Sequence, residues 1–287
     1  MSERVGREYT LTIQNPLLQT VIIQPPFTLH IDVNRDTAAS VNKATLDLYE
    51  LGPNTRNFLY KDKYTTNEYW QMKLDIGYGY QLFNVFLGNI YECFSYKQGV
   101  HWITHIEGFD GLFGVQNSNV NLSVPAGSNK QNILQMALQS IPTLTQGALG
   151  SPAQGTYQRG RAYMGRGVDF INDETQGQYF IDKEQLHILG DNEVLDHPVV
   201  LLESSYIRTT PKRRETMLEV DMNMTPELQV GGLVQLESLF QIYNGQYECM
   251  GVHHSGVISP TEAGDFTTSV QLYAGSRAFK TLKAGPN

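Results

Sequence analysis

Cysteine is almost absent from this 287-residue chain: Cys93 and Cys249 alone give neither a disulfide framework nor a four-ligand zinc site. Charge is sparse too, at 17% of residues, and the net −8 excludes a general attraction to nucleic acid or to an anionic membrane. No apolar run approaches the roughly 18 residues of a membrane span, and the opening MSERVGREYT holds no apolar stretch of a signal peptide. The expectation is a protein made and kept in a cytoplasm, or in an assembly built there. Catalytic signatures are missing as well. There is no Gly-x-Ser-x-Gly elbow, no HExxH, no CxxC pair and no Gly-Lys-Ser/Thr, and the glycines of GRAYMGRG (160–167) do not follow a strand as a dinucleotide fingerprint does. What is plentiful is tyrosine, 16 of the residues, with 26 Gly and 12 Pro. That balance favours short β-strands joined by many turns.

The chain repeats one stretch. Phe83 to Gly111 carries a Gly, then Tyr91-Glu92-Cys93, then Trp102, Thr104, Ile106, Phe109 and Gly111. Residues 240–275 carry a Gly, then Tyr247-Glu248-Cys249, then Phe266, Thr268, Val270, Tyr273 and Gly275 at the same mutual offsets. The step from Cys to aromatic is nine residues in the first copy and seventeen in the second, which reads as an insertion at a hairpin tip, where insertions are best tolerated. Further upstream, MLEVDMNMTPEL (217–228) echoes TLDLYELGPNTR (45–56), and GGLVQLES (231–238) stands where KLDIGYG (73–79) would. The second copy is shorter between these strands, as loss of a short helix near 54–60 would explain.

In chain order, residues 8–33 predict two or three strands broken at Asn15-Pro16 and Pro25-Pro26, and ATLDLYEL (44–51) alternates as another. Asn54 or Thr55 is placed to cap a short helix through Tyr60. Between the copies the pattern changes. Ser128-Asn129-Lys130-Gln131 is a capping box, and Ile133, Leu134, Ala137, Leu138 and Ile141 follow at helical spacing. Residues 143–167, rich in Gly, read as a loop, VDFIND as a helical turn or two, and YFID-KEQ-LHIL as a hairpin around a polar turn. The fold expected is mainly β (α+β): two β-barrel or sandwich domains related by duplication, 1–111 and 206–287, flanking a small α/β insert, 112–205.

Seven histidines invite a metal site. His101 and His105, four apart on a strand, are about 13 Å apart at ~3.3 Å per residue, too far for one ion. His253 and His254 point to opposite faces. Matching positions for Cys93 and Cys249 favour a shared packing role over catalysis, which needs one. Glu92 and Glu248 then read as solvent-facing partners in the alternation; a glycosidase acid pair needs no motif, so that alternative stays open. Arg159, Arg161 and Arg166, and the run Lys212-Arg213-Arg214, are the basic clusters, read either as solvated turns or as local phosphate or carboxylate contacts. No catalytic residue, metal ligand or cofactor-binding residue is assigned.

The order of motifs resembles the baseplate hub proteins of contractile-tailed bacteriophages. The residues that carry the likeness are the turn Glu50-Leu51-Gly52-Pro53-Asn54-Thr55-Arg56, with Glu50 where Asn is usual, Gly77-Tyr78, the strand Phe86-Leu87-Gly88-Asn89-Ile90, and Trp102 to Gly111. It continues through the capped helix at 128–141, the RGRAYMGRG turn and Asn244-Gly245-Gln246-Tyr247. These residues are turn glycines and strand aromatics, so they mark a scaffold rather than an activity. The resemblance implies a non-enzymatic structural protein of the virion tail baseplate, assembled in the host cytoplasm and needing no cofactor. It implies a homotrimer whose two tube-like β-domains per chain make a ring of six. Its partners are then the tail-tube protein, the central spike protein and other baseplate proteins, with DNA only as passing cargo and no membrane insertion. Two alternatives belong to other classes: a tail-associated cell-wall hydrolase with its chemistry in 112–205, and a hexameric tail-tube initiator or completion protein.

Overall fold

The computed structural model describes residues 6–38, 41–275 and 279–283; residues 1–5 of the stretch read for a signal peptide lie outside these. Four strands open the chain: β1 (Arg7–Gln14), β2 (Thr20–Ile23), β3 (Leu29–Asp36) and β4 (Lys43–Tyr49). Strict alternation sends Leu11 and Ile13, Leu29, Ile31 and Val33, and Leu46 and Leu48 into one core, because successive strand residues face opposite sides. Helix α1 (Pro53–Leu59) begins on Pro53 after Gly52 and has no side-chain cap, so neither Asn54 nor Thr55 does the work expected of it. Proline's fixed φ and missing N–H already suit the first helical position. Strands β5 (Gln71–Tyr78), β6 (Gln81–Gln98) and β7 (His101–Phe109) complete the first unit.

The middle of the chain holds α2 (Leu112–Asn117), β8 (Val120–Val124), α3 (Lys130–Gln139), β9 (Thr145–Leu149), β10 (Arg161–Gly165), α4 (Gly167–Thr175), β11 (Phe180–Asp182), β12 (Gln185–Ile188) and β13 (Glu193–Leu195). The cap of α3 is Asn129, whose side chain accepts from the N–H groups of Gln131 and Asn132; Ser128 lies one residue outside. The apolar stripe from Ile133 to Ile141 is buried as its spacing predicts. The expected loop at 143–167 contains two strands. Tertiary pairing overrides its glycine content: β9 runs parallel to β12, and β10 antiparallel to β8. The β11–β12 hairpin turns on Lys183 and Glu184, both in the left-handed region.

The last stretch gives β14 (Val200–Glu203), β15 (Lys212–Arg214), β16 (Met217–Asn223), β17 (Leu233–Glu237), β18 (Gly245–Ile258), β19 (Phe266–Tyr273) and β20 (Lys280–Leu282). Strands of both ends of the chain form one sheet in the order β15-β16-β19-β18-β3-β4-β7-β6-β5-β1-β2, with β14 and β17 attached beside β18. The join between the two ends is β3 against β18, antiparallel from Leu29–Ile258 to Asp36–Gly251. Three apolar clusters lie in this frame. One is built around β1–β7, one between α3, α4 and the small strands of the middle, and one around β16–β19.

The four strands β4–β7 and the four strands β16–β19 share one antiparallel scheme: first with fourth, second with third, third with fourth. A β-bulge interrupts both at the same place. Ile90 faces Gly108 and then Glu92 faces Glu107; Cys249 faces Leu272 and then Gly251 faces Gln271. With β7 laid on β19 as the sequences match, Trp102 on Phe266, this register puts Cys249 on Ile90 and Cys93 on Val252. The expected match of Cys93 with Cys249 is therefore three residues out. The slip was invisible in sequence because the bulged residue plus one strand period is three, so both cysteines still face their cores. The upstream echo slips by one strand period as well: Leu46 and Val220, opposite Ile106 and Val270, are the true counterparts. The matched glycines hold. Gly111 and Gly275 follow β7 and β19 with φ of 75° and 51°, a conformation that favours glycine.

Candidate assembly interface

One face of the long sheet is apolar and packs on the cores; the other is polar, and its rungs cross from one end of the chain to the other. Asp221, Ser269, His253, Asn34 and Lys43 stand side by side across five strands. The next rung runs from Asn223 through Thr267, Ser255, Asp32, Thr45 and Glu107 to Glu92. On this face the carboxylates of Asp32, Asp47, Glu92, Glu107, Glu219 and Asp221 outnumber the cations Lys43, Lys212 and Arg214. Its histidines sit against acids: His105 lies 2.7 Å from Asp47, His253 3.1 Å from Asp32 and His30 3.3 Å from Glu262. The ligand atoms of Glu92, His105 and Glu107 lie within 4.8 Å of one another, but Asp47 already engages His105, and Lys43 engages Glu107.

Besides the terminal edge at β2, two open edges of this sheet match one another. Among the described residues, strand β15 pairs only with β16. The second half of β6 pairs with β7 on one side, while its other side carries only the isolated bridge between Cys93 and Lys61 among the described residues. Because Cys93 turns its N–H and C=O to Lys61, alternation turns those of Ser95 and Lys97 to the same open side. In the second unit the equivalent side of β18 is covered by β3. Strand β15 lies beside β16 as β3 lies beside β4. The chain thus contains one filled junction, β3 on β18, and the two unfilled halves of a second, β15 and β6.

A buried polar cluster fastens the middle of the chain to both ends. Arg35 of β3, 1% exposed, reaches both carboxylate oxygens of Asp182 at 3.3 Å and donates to the Leu228 carbonyl at 2.8 Å. Asn42 donates to the Ile181 carbonyl, and Asp110 accepts from the Lys183 and Glu184 N–H groups. Burial, with Asp182 nearby, holds the Asp110 carboxyl well above the usual range, and burial brings the Lys183 ammonium down to about 8. Tyr69 closes the cluster with its hydroxyl on the Glu184 carboxylate, 2.7 Å away. The sequence flagged none of these residues as a group, because they come from five separated segments. The one local signal was the polar turn between YFID and LHIL.

The residues singled out in the sequence are scattered over the fold. His101 sits near Glu50 at 2.9 Å on the exposed end of β7, and His105 sits with Asp47. His253 faces out while His254 is fully buried on Thr268, as their adjacency predicts. Both cysteines are free and buried, and burial pushes each thiol up to about 12. Glu92 is partly exposed, but Glu248 is not the solvent-facing residue expected: the middle of the chain covers its end of the polar face and leaves it 9% exposed. Arg161 pairs with Glu174 and Arg166 with Asp169. Lys212-Arg213-Arg214, read as a solvated turn or as local carboxylate contacts, is the edge strand β15 itself, with Arg214 2.9 Å from the Glu219 carboxylate.

No protein-family model matches the chain, and no curated protein sequence matches it. Solved structures do match. A 43 kDa tail protein of prophage MuSo2 from Shewanella oneidensis superposes with a TM-score of 0.60 at 7% identity, over 92% of this chain and 97% of that one. A tail protein from Neisseria meningitidis MC58 gives 0.58 at 12% identity, over 92% and 96%. The Escherichia coli c3393 protein, described as a component of the type VI secretion system with structural similarity to T4 tail proteins gp27 and gp5, gives 0.59 at 8% identity, over 93% and 78%. The fold of this chain is the one seen in those two tail proteins and in the secretion-system component.

Proposed function

We propose that the chain is the structural hub of a phage tail baseplate, three copies closing into a ring of six quasi-equivalent β-units between the sixfold tail tube and the threefold central spike. The observation that carries this reading is the internal junction. Strand β3 seals the side of β18, and the same scheme repeated between chains sets β15 against the 94–98 segment of a neighbour. Carrying over the internal register places Phe94 opposite Arg214, Ser95 opposite Arg213 and Tyr96 opposite Lys212, with the rings of Phe94 and Tyr96 beside cations on the polar face. Lys61 already occupies the position next in line, at Cys93, and β15 ends at Arg214, so the two edges are complementary in length as well.

Closing the ring covers backbone rows that an isolated chain leaves open to aggregation. It also sets the acid-rich face of six units around one lumen, where DNA passes without adhering to the wall. The reading assigns the ring no catalytic step and no cofactor, and locates it in the virion tail baseplate. Its test is co-expression with the spike and with the tube protein, followed by native mass measurement and imaging of the complex. Three copies per ring are expected. A strictly monomeric chain beside its spike, or six copies per ring, overturns the hub and favours a tube component; lysis of purified peptidoglycan in a zymogram favours the hydrolase.

A further inference from the structure

One aromatic contact made inside the chain has counterparts of both its halves standing apart and exposed. Phe266, at the start of β19, belongs to the second unit, yet it is 5% exposed because the first unit covers it. The ring of Tyr78, at the end of β5, meets it edge to face at 5.6 Å, and the Arg7 guanidinium lies 5.1 Å from its centre. Register identifies the counterparts. Trp102 stands for Phe266: the Glu50 N–H donates to the Trp102 carbonyl at 2.9 Å, as the Met224 N–H donates to the Phe266 carbonyl at 3.0 Å. Leu74, opposite Phe86, matches Leu236, opposite Gly245. Phe240, four residues past Leu236, therefore stands for Tyr78, four past Leu74. Trp102 has its own unit's Arg56 stacked on it at 3.7 Å and is still 38% exposed. Phe240 is 52% exposed, beside the exposed Leu239 and Ile242.

We infer that Phe240 of one chain caps Trp102 of a second copy, edge to face, as Tyr78 caps Phe266, and that this pair anchors the junction between chains. The inference rests on the ring reading above and adds to its strand pairing a side-chain site beyond the end of the paired edge. The same register carries the neighbour's β6–β7 turn to a recess of about 180 Å³ beside Phe240, lined also by Ile207, Pro211 and Leu239. The Asn223 N–H donates to the Tyr206 carbonyl as the Tyr49 N–H does to that of Thr28, so Ile207 stands for Leu29. Leu29 lies opposite Ile258. Gly256 facing Phe266 matches Lys97 facing Trp102, so the counterpart of Ile258 is Gly99, and the exposed Val100 follows it. Exposed apolar side chains gathered in this way mark an interaction surface. Each is the counterpart of a group already matched inside the chain, and the partner that supplies the match is another copy of the chain.

The test uses the full-length chain co-expressed with its spike. Phe240→Cys chains and Trp102→Cys chains, assembled together and treated with a short bifunctional thiol reagent, are expected to give a covalent dimer that neither variant gives alone; Cys93 and Cys249 are buried. By native mass measurement, Phe240→Ala is expected to weaken the trimer roughly 30-fold per junction, the loss of one interface hot spot, with parental melting of the chain itself. Tyr78→Ala, the same truncation at the internal contact, is expected instead to lower the melting temperature of the chain. Phe240→Ala that lowers melting as much as Tyr78→Ala overturns the inference, because Phe240 then packs within its own chain. A parent trimer that shows neither the link nor the weakening overturns this contact and leaves the hub assignment standing. A parent chain that never forms a trimer beside its spike overturns both.

Discussion

Ser95→Pro is the sharpest probe of the proposed ring. Ser95 directs its backbone N–H away from β7, toward the open side of β6, so proline removes a donor that no strand among the described residues uses. The chain itself loses the hydroxyl contact between Ser95 and Thr104, 2.9 Å long, at a cost of about 1 kcal/mol. Ser95→Val loses the same contact and keeps the N–H, and so serves as the control. Between chains the cost is larger. Each junction forfeits one edge hydrogen bond and leaves a carbonyl of the neighbouring β15 without its donor, together about 2 kcal/mol. A closed trimer has three such junctions, so the penalty is about 6 kcal/mol, about four powers of ten in its association constant. Native mass spectrometry of the chain co-expressed with its spike reads the outcome. The valine variant is expected as a trimer and the proline variant as a monomer, both with near-parental melting. A trimer of undiminished stability in the proline variant refutes the edge pairing.

Arg35→Ala leaves the Asp182 carboxylate buried without its countercharge and the Leu228 carbonyl without its donor, and is expected to cost about 3–5 kcal/mol in urea denaturation. Arg35→Met with Asp182→Leu is expected to recover much of that loss, because it removes both charges; no recovery would mean the pair does more than neutralise itself. His187, buried with its Nδ1 accepting from the Ala148 N–H, is brought down to about 4 by burial. The unfolded chain therefore binds a proton near pH 6.5 that the folded chain refuses, and stability falls by about 3 kcal/mol as pH drops from 6.5 to 4. His187→Gln is expected to flatten that slope, and an equal slope in the variant contradicts the assignment. Cys93 and Cys249 should resist a water-soluble thiol reagent in the folded chain and label only on unfolding; rapid labelling of either at pH 8 would show that its strand opens.

Strand alternation, the turn glycines and the helical stripe from Ile133 to Ile141 are local properties, and the sequence determined them by itself. So were the repeated unit and the opposite facing of His253 and His254, because each follows from offsets along the chain. Register was not among them. A bulge at Tyr91 in one copy and Met250 in the other adds a residue without changing which side chains face the core, so pattern matching aligned the wrong pair of cysteines. Strands β9 and β15 were hidden for a related reason: TQGAL and KRR have little strand propensity, and each is extended because a neighbouring strand supplies its hydrogen bonds. The burial of Glu248, the cluster around Arg35 and the joining of β3 to β18 were decided by tertiary structure alone. Each depends on segments more than a hundred residues apart meeting at one place, or on one packing over another, and no spacing along a single chain records such a meeting.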